Sequence, residues 1–90
     1  MEFEWDKGKA ERNLIKHGVS FDEAKTVFDC SLYVDFYDPD HSESEERYLA
    51  IGESNRGRLL IISYTERSSK IRLISARETT KTERETYEEG

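Results

Sequence analysis

Apolar and polar residues alternate at the start of the chain, Glu2-Phe3-Glu4-Trp5, and this period of two predicts a short first strand. Asp6 is a good N-cap. Lys7 to His17 then reads as a helix with Ala10, Leu14 and His17 on one stripe, ended by Gly18. Ser20 and Glu23 form a capping-box pattern, and Phe21, Ala24, Val27 and Phe28 follow at helical spacing, so a second helix is expected over about 21–29. Leu32, Val34 and Phe36 alternate with Tyr33, Asp35 and Tyr37, predicting a strand. Asp38-Pro39-Asp40-His41-Ser42 has the chemistry of a loop.

Alternation resumes from Arg47 to Gly52, and Ser54-Asn55-Arg56-Gly57 is a tight turn. The unbroken run Leu59-Leu60-Ile61-Ile62 predicts a central strand buried on both faces, continuing through Thr65. Ser68-Ser69-Lys70 turns the chain into a last strand, Ile71 to Arg77. Thr80 and Glu83 form another capping box, opening a short charged helix that runs to about Glu89. The order β-α-α-β-β-β-β-α predicts an α+β fold in one domain, residues 1–90. Its expected form is a meandering antiparallel sheet of about four strands with the helices on one side: two N-terminal helices packed against it, plus a short C-terminal helix.

Composition narrows the class. Charged residues make up 38% of the chain and hydrophobic ones 34%, yet ten aromatics supply large core pieces, which excludes disorder throughout. The single cysteine, Cys30, forms no internal disulfide and builds no cysteine zinc site. No apolar run approaches the ~18 residues of a membrane helix, and the acidic N-terminus lacks the apolar stretch of a signal peptide. A reduced, cytoplasmic location is expected, with no membrane partner. The net charge of −6 argues against nucleic acid until its distribution is read. Residues 21–46 carry nine acids against Lys25, whereas 47–77 carry seven bases against Glu53 and Glu66. If that basic block forms a face, RNA can bind there; the alternative is a solvated strand surface.

No glycine-rich phosphate loop or Ser-His-Asp signature is present. His17 and His41 belong to no ligand-spaced cluster, so neither a metal nor a cofactor is expected, and the acidic loop around Asp38 and Asp40 reads better as a loop than as a cation site. Arginines on strands remain. Thr65 with Arg67, and Ser75 with Arg77, each set a hydroxyl and a guanidinium two apart, on one face of a strand. In a hairpin, Arg67 lies near the turn and Arg77 near the far end, marking two ends of a groove. The planar guanidinium suits a phosphate. Lys9 and Lys16 share roughly one face of the first helix. His17 is either a titrating group or a packed residue closing the helix. Glu83 reads as a cap. Tyr64 and Tyr87 either stack a base or sit at the core edge.

The sequence resembles the BrnT family of toxins, within the RelE-like toxin superfamily. The matching pieces are Phe3-Glu4-Trp5-Asp6, Lys9, Asn13, Lys16-His17-Gly18-Val19-Ser20-Phe21, Ala24 and Phe28. They continue with Glu46-Arg47-Tyr48, Ile51-Gly52, Tyr64-Thr65, Arg67, Ile74-Ser75-Ala76-Arg77, Glu83-Arg84 and Tyr87. The acidic stretch 29–46 matches least. The resemblance implies a sheet packed on helices and a ribonuclease toxin that inhibits translation. It implies a cognate ribbon-helix-helix antitoxin, with operator DNA reached only through that partner, and RNA as substrate, including message on the ribosome. Metal-free RNA cleavage needs a base for the 2′-OH, cations for the phosphorane and an acid for the leaving 5′-oxygen. Candidates are Arg67 and Arg77 for the phosphate, His17, Glu46 or Glu83 for proton transfer, and Lys9 assisting. Lys16, Arg47, Tyr64, Arg72 and Tyr87 are candidate RNA contacts. The charge segregation further suggests an antitoxin that covers Arg67 and Arg77. The alternative function is a non-catalytic antitoxin-binding or RNA-binding module of the same fold.

Overall fold

A computed structural model describes residues 1–41 and 44–89. Five strands, β1 (Glu2–Glu4), β2 (Val34–Tyr37), β3 (Tyr48–Glu53), β4 (Leu59–Arg67) and β5 (Lys70–Glu78), accompany three helices, α1 (Lys7–His17), α2 (Phe21–Ala24) and α3 (Lys81–Glu89). A 3₁₀ segment, Lys25–Asp29, completes what the spacing suggested as one helix, and a second, Pro39–His41, occupies the acidic loop. Ser42 of that expected loop lies outside the described residues. None of the described helices is long and apolar enough to cross a membrane.

The sheet order is β1-β5-β4-β3-β2. It is a five-stranded mixed sheet, not an antiparallel one of four, because β1 joins the edge of β5 in parallel. The register explains the attachment. Glu2 sits opposite Lys70 and Glu4 opposite Arg72, so the cross-strand pairs are of opposite charge, while Phe3 beside Ile71 reaches the core. The strand stops at Glu4. Trp5 instead packs edge-on against Phe21 at 5.8 Å.

The run Leu59–Ile62 is buried throughout, as its apolar continuity predicts. Leu60 and Ile62 face α1 and α2, joining Val19, Phe21, Ala24, Val27 and Phe28. Leu59 and Ile61 point to the other face, beside Ile51, Leu49 and Tyr87 of α3. The helices therefore lie on both faces rather than on one. Two ties draw α3 to the second face: Arg77 donates to Glu83, and the Tyr87 hydroxyl donates to the Leu32 carbonyl.

The apolar stripe expected on α1 is displaced. Leu14 is 50% exposed and Ile15 87%, while Asn13 is buried. Its amide hydrogen-bonds to Val19 and Ala76, so a polar group makes the deepest contact of this helix. The Ser20 cap forms, with its hydroxyl accepting from the Glu23 N–H, but the Glu23 side chain does not return the bond. It turns instead to Arg58 and the Ser54 hydroxyl.

β4 and β5 are joined by Ser68 and Ser69, both at positive φ (48° and 71°). Further along this hairpin Ser63 opposes Ser75 while Tyr64 opposes Leu73, which leaves Ile74 as a bulge. Gly52 on β3 admits the 3₁₀ segment: a Cβ there would stand 2.7 Å from Tyr33 Cβ and 2.9 Å from Val27 Cγ1.

Candidate nucleic-acid interface

Pairing with Ile61, Thr65 and Arg67 places Arg77, Arg72 and Lys70 of β5 on one face, the side away from α1 and α2. Arg67 stands opposite Lys70 at the hairpin end and Arg77 lies seven residues further along β5. At the rise of a strand that separates them by about 23 Å. They mark two ends of a face, as the hairpin reading expects.

That face is not a bare basic patch. Arg67 Nη2 donates to Glu45 at 3.1 Å, and Arg72 Nη1 to Glu4 at 2.8 Å. Arg77 forms a two-pronged pair with Glu83, both contacts at 2.8 Å. Arg47 lies 3.9 Å from Glu45. Acids from the flanking stretches fold back onto the basic block and answer its charge within the chain. Glu83 also accepts the Thr80 N–H and receives the reciprocal cap from Thr80, so its capping role is fully formed. The Arg77 guanidinium, aided by the cap, draws the Glu83 carboxyl down to about 2. A carboxyl held so low is a poor base.

At the Arg67 end, a groove of about 420 Å³ is lined by Glu45, Glu46, Tyr48, Thr65, Glu66 and Arg67. Here a carboxylate, a phenol and a guanidinium come together. The Tyr48 hydroxyl donates to Glu46 Oε2 at 3.3 Å. Thr65, itself buried, donates to the Glu46 carbonyl at 2.6 Å and so fixes the backbone that carries Glu46. Desolvation and the neighbouring Glu46 push the Tyr48 phenol up from its ordinary value, keeping it protonated. Tyr48 is absent from the sequence-derived candidates. Its signal was the spacing Glu46-x-Tyr48, which aims both side chains the same way along an extended chain.

The remaining candidates disperse. Lys9, Lys16 and His17 ride on α1, whose buried Asn13 ties it to the free edge of β5 at Ala76. Lys9 and Lys16 are exposed and His17 half-buried, and none of the three lines the groove at Arg67. Tyr64 is 3% exposed, its ring within 5.6 Å of both Phe28 and Tyr48 and its hydroxyl donating to Asp35. It is a core residue and stacks no base; burial pushes its phenol up. Tyr87 anchors α3 through Leu32 and packs on the second core cluster. Among the described residues no group of three or more His, Cys, Asp or Glu side chains is arranged to hold a metal ion.

One feature of this face is mainly apolar. A cleft of about 450 Å³, with Glu83 at its wall, runs between Val34, Phe36, Leu49, Ile51 and Ile61 on the sheet and Tyr87 on α3.

Comparison with known proteins places this arrangement. No curated protein sequence matches the chain. Among solved structures, the 1.1 Å crystal structure of the Brucella abortus ribonuclease toxin BrnT shares the fold at a TM-score of 0.66. The match covers 90% of this chain and 99% of that chain at 24% identity. The profile of the family described as the ribonuclease toxin BrnT of type II toxin–antitoxin systems matches residues 5–83, nearly end to end. The chain belongs to the BrnT family of ribonuclease toxins of type II toxin–antitoxin systems.

Proposed function

We propose that this toxin cuts RNA with side-chain acid and base groups, and that the chemistry takes place in the groove at the Arg67 end of the sheet. The observation that carries the reading is the hydrogen bond between Tyr48 and Glu46 beside Arg67. In this reaction the Glu46 carboxylate takes the proton of a 2′-OH, and the 2′-oxygen attacks phosphorus. The bond to the 5′-oxygen breaks, and the Tyr48 phenol protonates that leaving oxygen, leaving a 2′,3′-cyclic phosphate. Arg67 answers the charge that builds on the phosphorane. The proton on Glu46 then returns to the Tyr48 phenolate along the bond that already joins them, and both groups are reset. Arg72 and Arg77 hold the RNA backbone further along the face, exchanging Glu4 and Glu83 for phosphates.

Cleavage of message stops translation in the cytoplasm, whether the message is free or on the ribosome. The cognate partner is a ribbon-helix-helix antitoxin, through which alone the pair reaches operator DNA. A second reading, a non-catalytic antitoxin- or RNA-binding module, is favoured by one observation: Arg67, Arg72 and Arg77 each have a carboxylate partner in a chain of net charge −6.

The test is induction of the chain alone in a bacterium, with growth and total RNA followed, beside Glu46→Gln, Tyr48→Phe and Arg77→Ala. Growth arrest with RNA loss is expected from the parent, and purified Glu46→Gln and Tyr48→Phe proteins should cleave about 100-fold or more slowly. Undiminished cleavage by folded forms of both variants removes the chemistry from this groove. No arrest from soluble, folded parent selects the binding-module reading.

A further inference from the structure

The second face of the sheet ends in an edge that the fold leaves open. Among the described residues β2 pairs with β3 alone, and all four of its residues are exposed. An unpaired strand edge is a template for another chain unless it is blunted. This one carries no proline within the strand, and its two residues on the second face are apolar: Val34 is 43% exposed and Phe36 47%. They form the outer lip of the apolar cleft, in register with Ile51 and Leu49 behind them. Backbone hydrogen-bonding groups and an apolar strip thus share one rim. That is the combination by which a sheet captures an extended peptide: main-chain bonds supply affinity and alternate side chains supply specificity.

Charge selects the occupant. Asp35 lies between Val34 and Phe36 and points to the opposite side of the strand, where it accepts one bond from Tyr64 and has further acceptor sites available. It is the only charged residue of β2. A second copy of this chain would set that acidic strand against its own like. A basic partner meets no such repulsion.

We infer that the outer edge of β2 is where the antitoxin docks, through an extended segment that pairs with β2 as a sixth strand. Its apolar side chains sit beside Val34 and Phe36 at the mouth of the cleft, and alternate Lys or Arg side chains face Asp35. The partner follows from membership of a toxin–antitoxin family, and the inference is independent of which residues cut RNA. It also separates docking from the arginines: β3 and β4 stand between this edge and β5, so the bound segment itself leaves Arg67 and Arg77 uncovered.

The test titrates the purified full chain with the antitoxin protein encoded beside its gene, with no RNA present, and maps amide hydrogen exchange in the complex. Phe36→Lys and Val34→Lys should each weaken binding about 100-fold, as a charge placed in an interface centre does. Asp35→Lys should weaken it about tenfold, less so at high salt. Ile15→Lys, the same change on the exposed side of α1, should stay within about threefold. Amides of residues 34–37 should gain protection. Unchanged affinity in a folded Phe36→Lys protein, or no added protection across β2 in the parent complex, overturns the proposal. Should Phe36→Lys not fold, Val34→Lys and the exchange map of the parent decide. A chain that is dimeric by light scattering and made monomeric by Val34→Lys also overturns it, in favour of self-pairing. Affinity is read without RNA, so a parent that proves catalytically inert leaves the docking edge standing and refutes only the cleavage reading.

Discussion

Asn13 and Ala76, 63 residues apart, exchange two hydrogen bonds: the Asn13 amide donates to the Ala76 carbonyl at 2.8 Å, and the Ala76 N–H donates to Asn13 Oδ1 at 3.0 Å. A third bond runs from the same amide to the Val19 carbonyl at 2.9 Å. β1 pairs with β5 only over Lys70, Ile71 and Arg72. Beyond that point one side chain does for β5 what a neighbouring strand does elsewhere.

Replacing Asn13 with alanine strands three buried backbone groups at once. Each unsatisfied group costs about 1–3 kcal/mol, with part of the loss recovered by water entry. Asn13→Ala should destabilise the protein by about 2–4 kcal/mol, read from the midpoint of urea unfolding at unchanged slope. A loss under about 0.5 kcal/mol would mean that α1 is held by its apolar contacts alone.

Acid should loosen α3. The Glu83 carboxyl falls from 4.5 to about 2 on folding, chiefly through its bond to Arg77, so folding favours its ionised form. That stabilisation is complete above about pH 4.5 and lost as the pH falls toward about 2. Glu23, lowered chiefly by its bond to Arg58, runs in the same direction. The Glu83 contribution should be on the order of 2 kcal/mol after solvent screening of a partly exposed pair. Urea unfolding between pH 6 and pH 3 checks it: Glu83→Gln should flatten the decline.

On the proposed function, the same carboxylate competes with RNA for Arg77. Glu83→Gln should bind a single-stranded oligoribonucleotide roughly five- to tenfold more tightly at low salt, because one negative charge leaves and the guanidinium is less firmly held. Arg77→Ala should weaken binding and lower the slope of log affinity against log salt by about 0.7, the value of one phosphate contact on a single strand. Fluorescence anisotropy across a salt series reads both. An Arg77→Ala slope equal to the parent's would take Arg77 off the RNA path.

Ser68 and Ser69 hold positive φ without a glycine between them. Asn-Gly is the pair that this two-residue turn prefers. The double substitution should raise stability by about 1 kcal/mol and the melting temperature by about 4–8 °C, measured by calorimetry.

Local chemistry was readable along the chain, and long-range partners were not. The run Leu59–Ile62 announced a strand buried on both faces because no polar residue interrupts it. The Thr80–Glu83 capping box was visible because its partners are three residues apart. By contrast, the Ser20–Glu23 box formed only in half, since Arg58, 35 residues away, takes the Glu23 carboxylate. Periodicity put Leu14 inside and overlooked Asn13, because the buried backbone groups that favour an amide there belong to a strand folded from the other end of the chain. The candidate site suffered likewise. Arg67 and Glu46 were found and share a groove, but the sequence offered no means of seeing that His17, Lys9 and Lys16, on α1, take no part in lining it. Tyr64 was left open between stacking a base and sitting at the core edge because burial is invisible in a single tyrosine.

The parallel pairing of β1 with β5 bears on how the toxin comes into being. A chain emerges from the ribosome N-terminus first, yet Glu4 meets Arg72 only 68 residues later, and β5 lies between β1 and the rest of the sheet. Of the five strands, β1 is made before its neighbour by the length of all the others. β5, which carries Arg72 and Arg77, is also the strand that Asn13 clasps. The row of arginines proposed to hold RNA is therefore completed only after β5 has been synthesised, and the edge of β5 is sealed by segments made long before it.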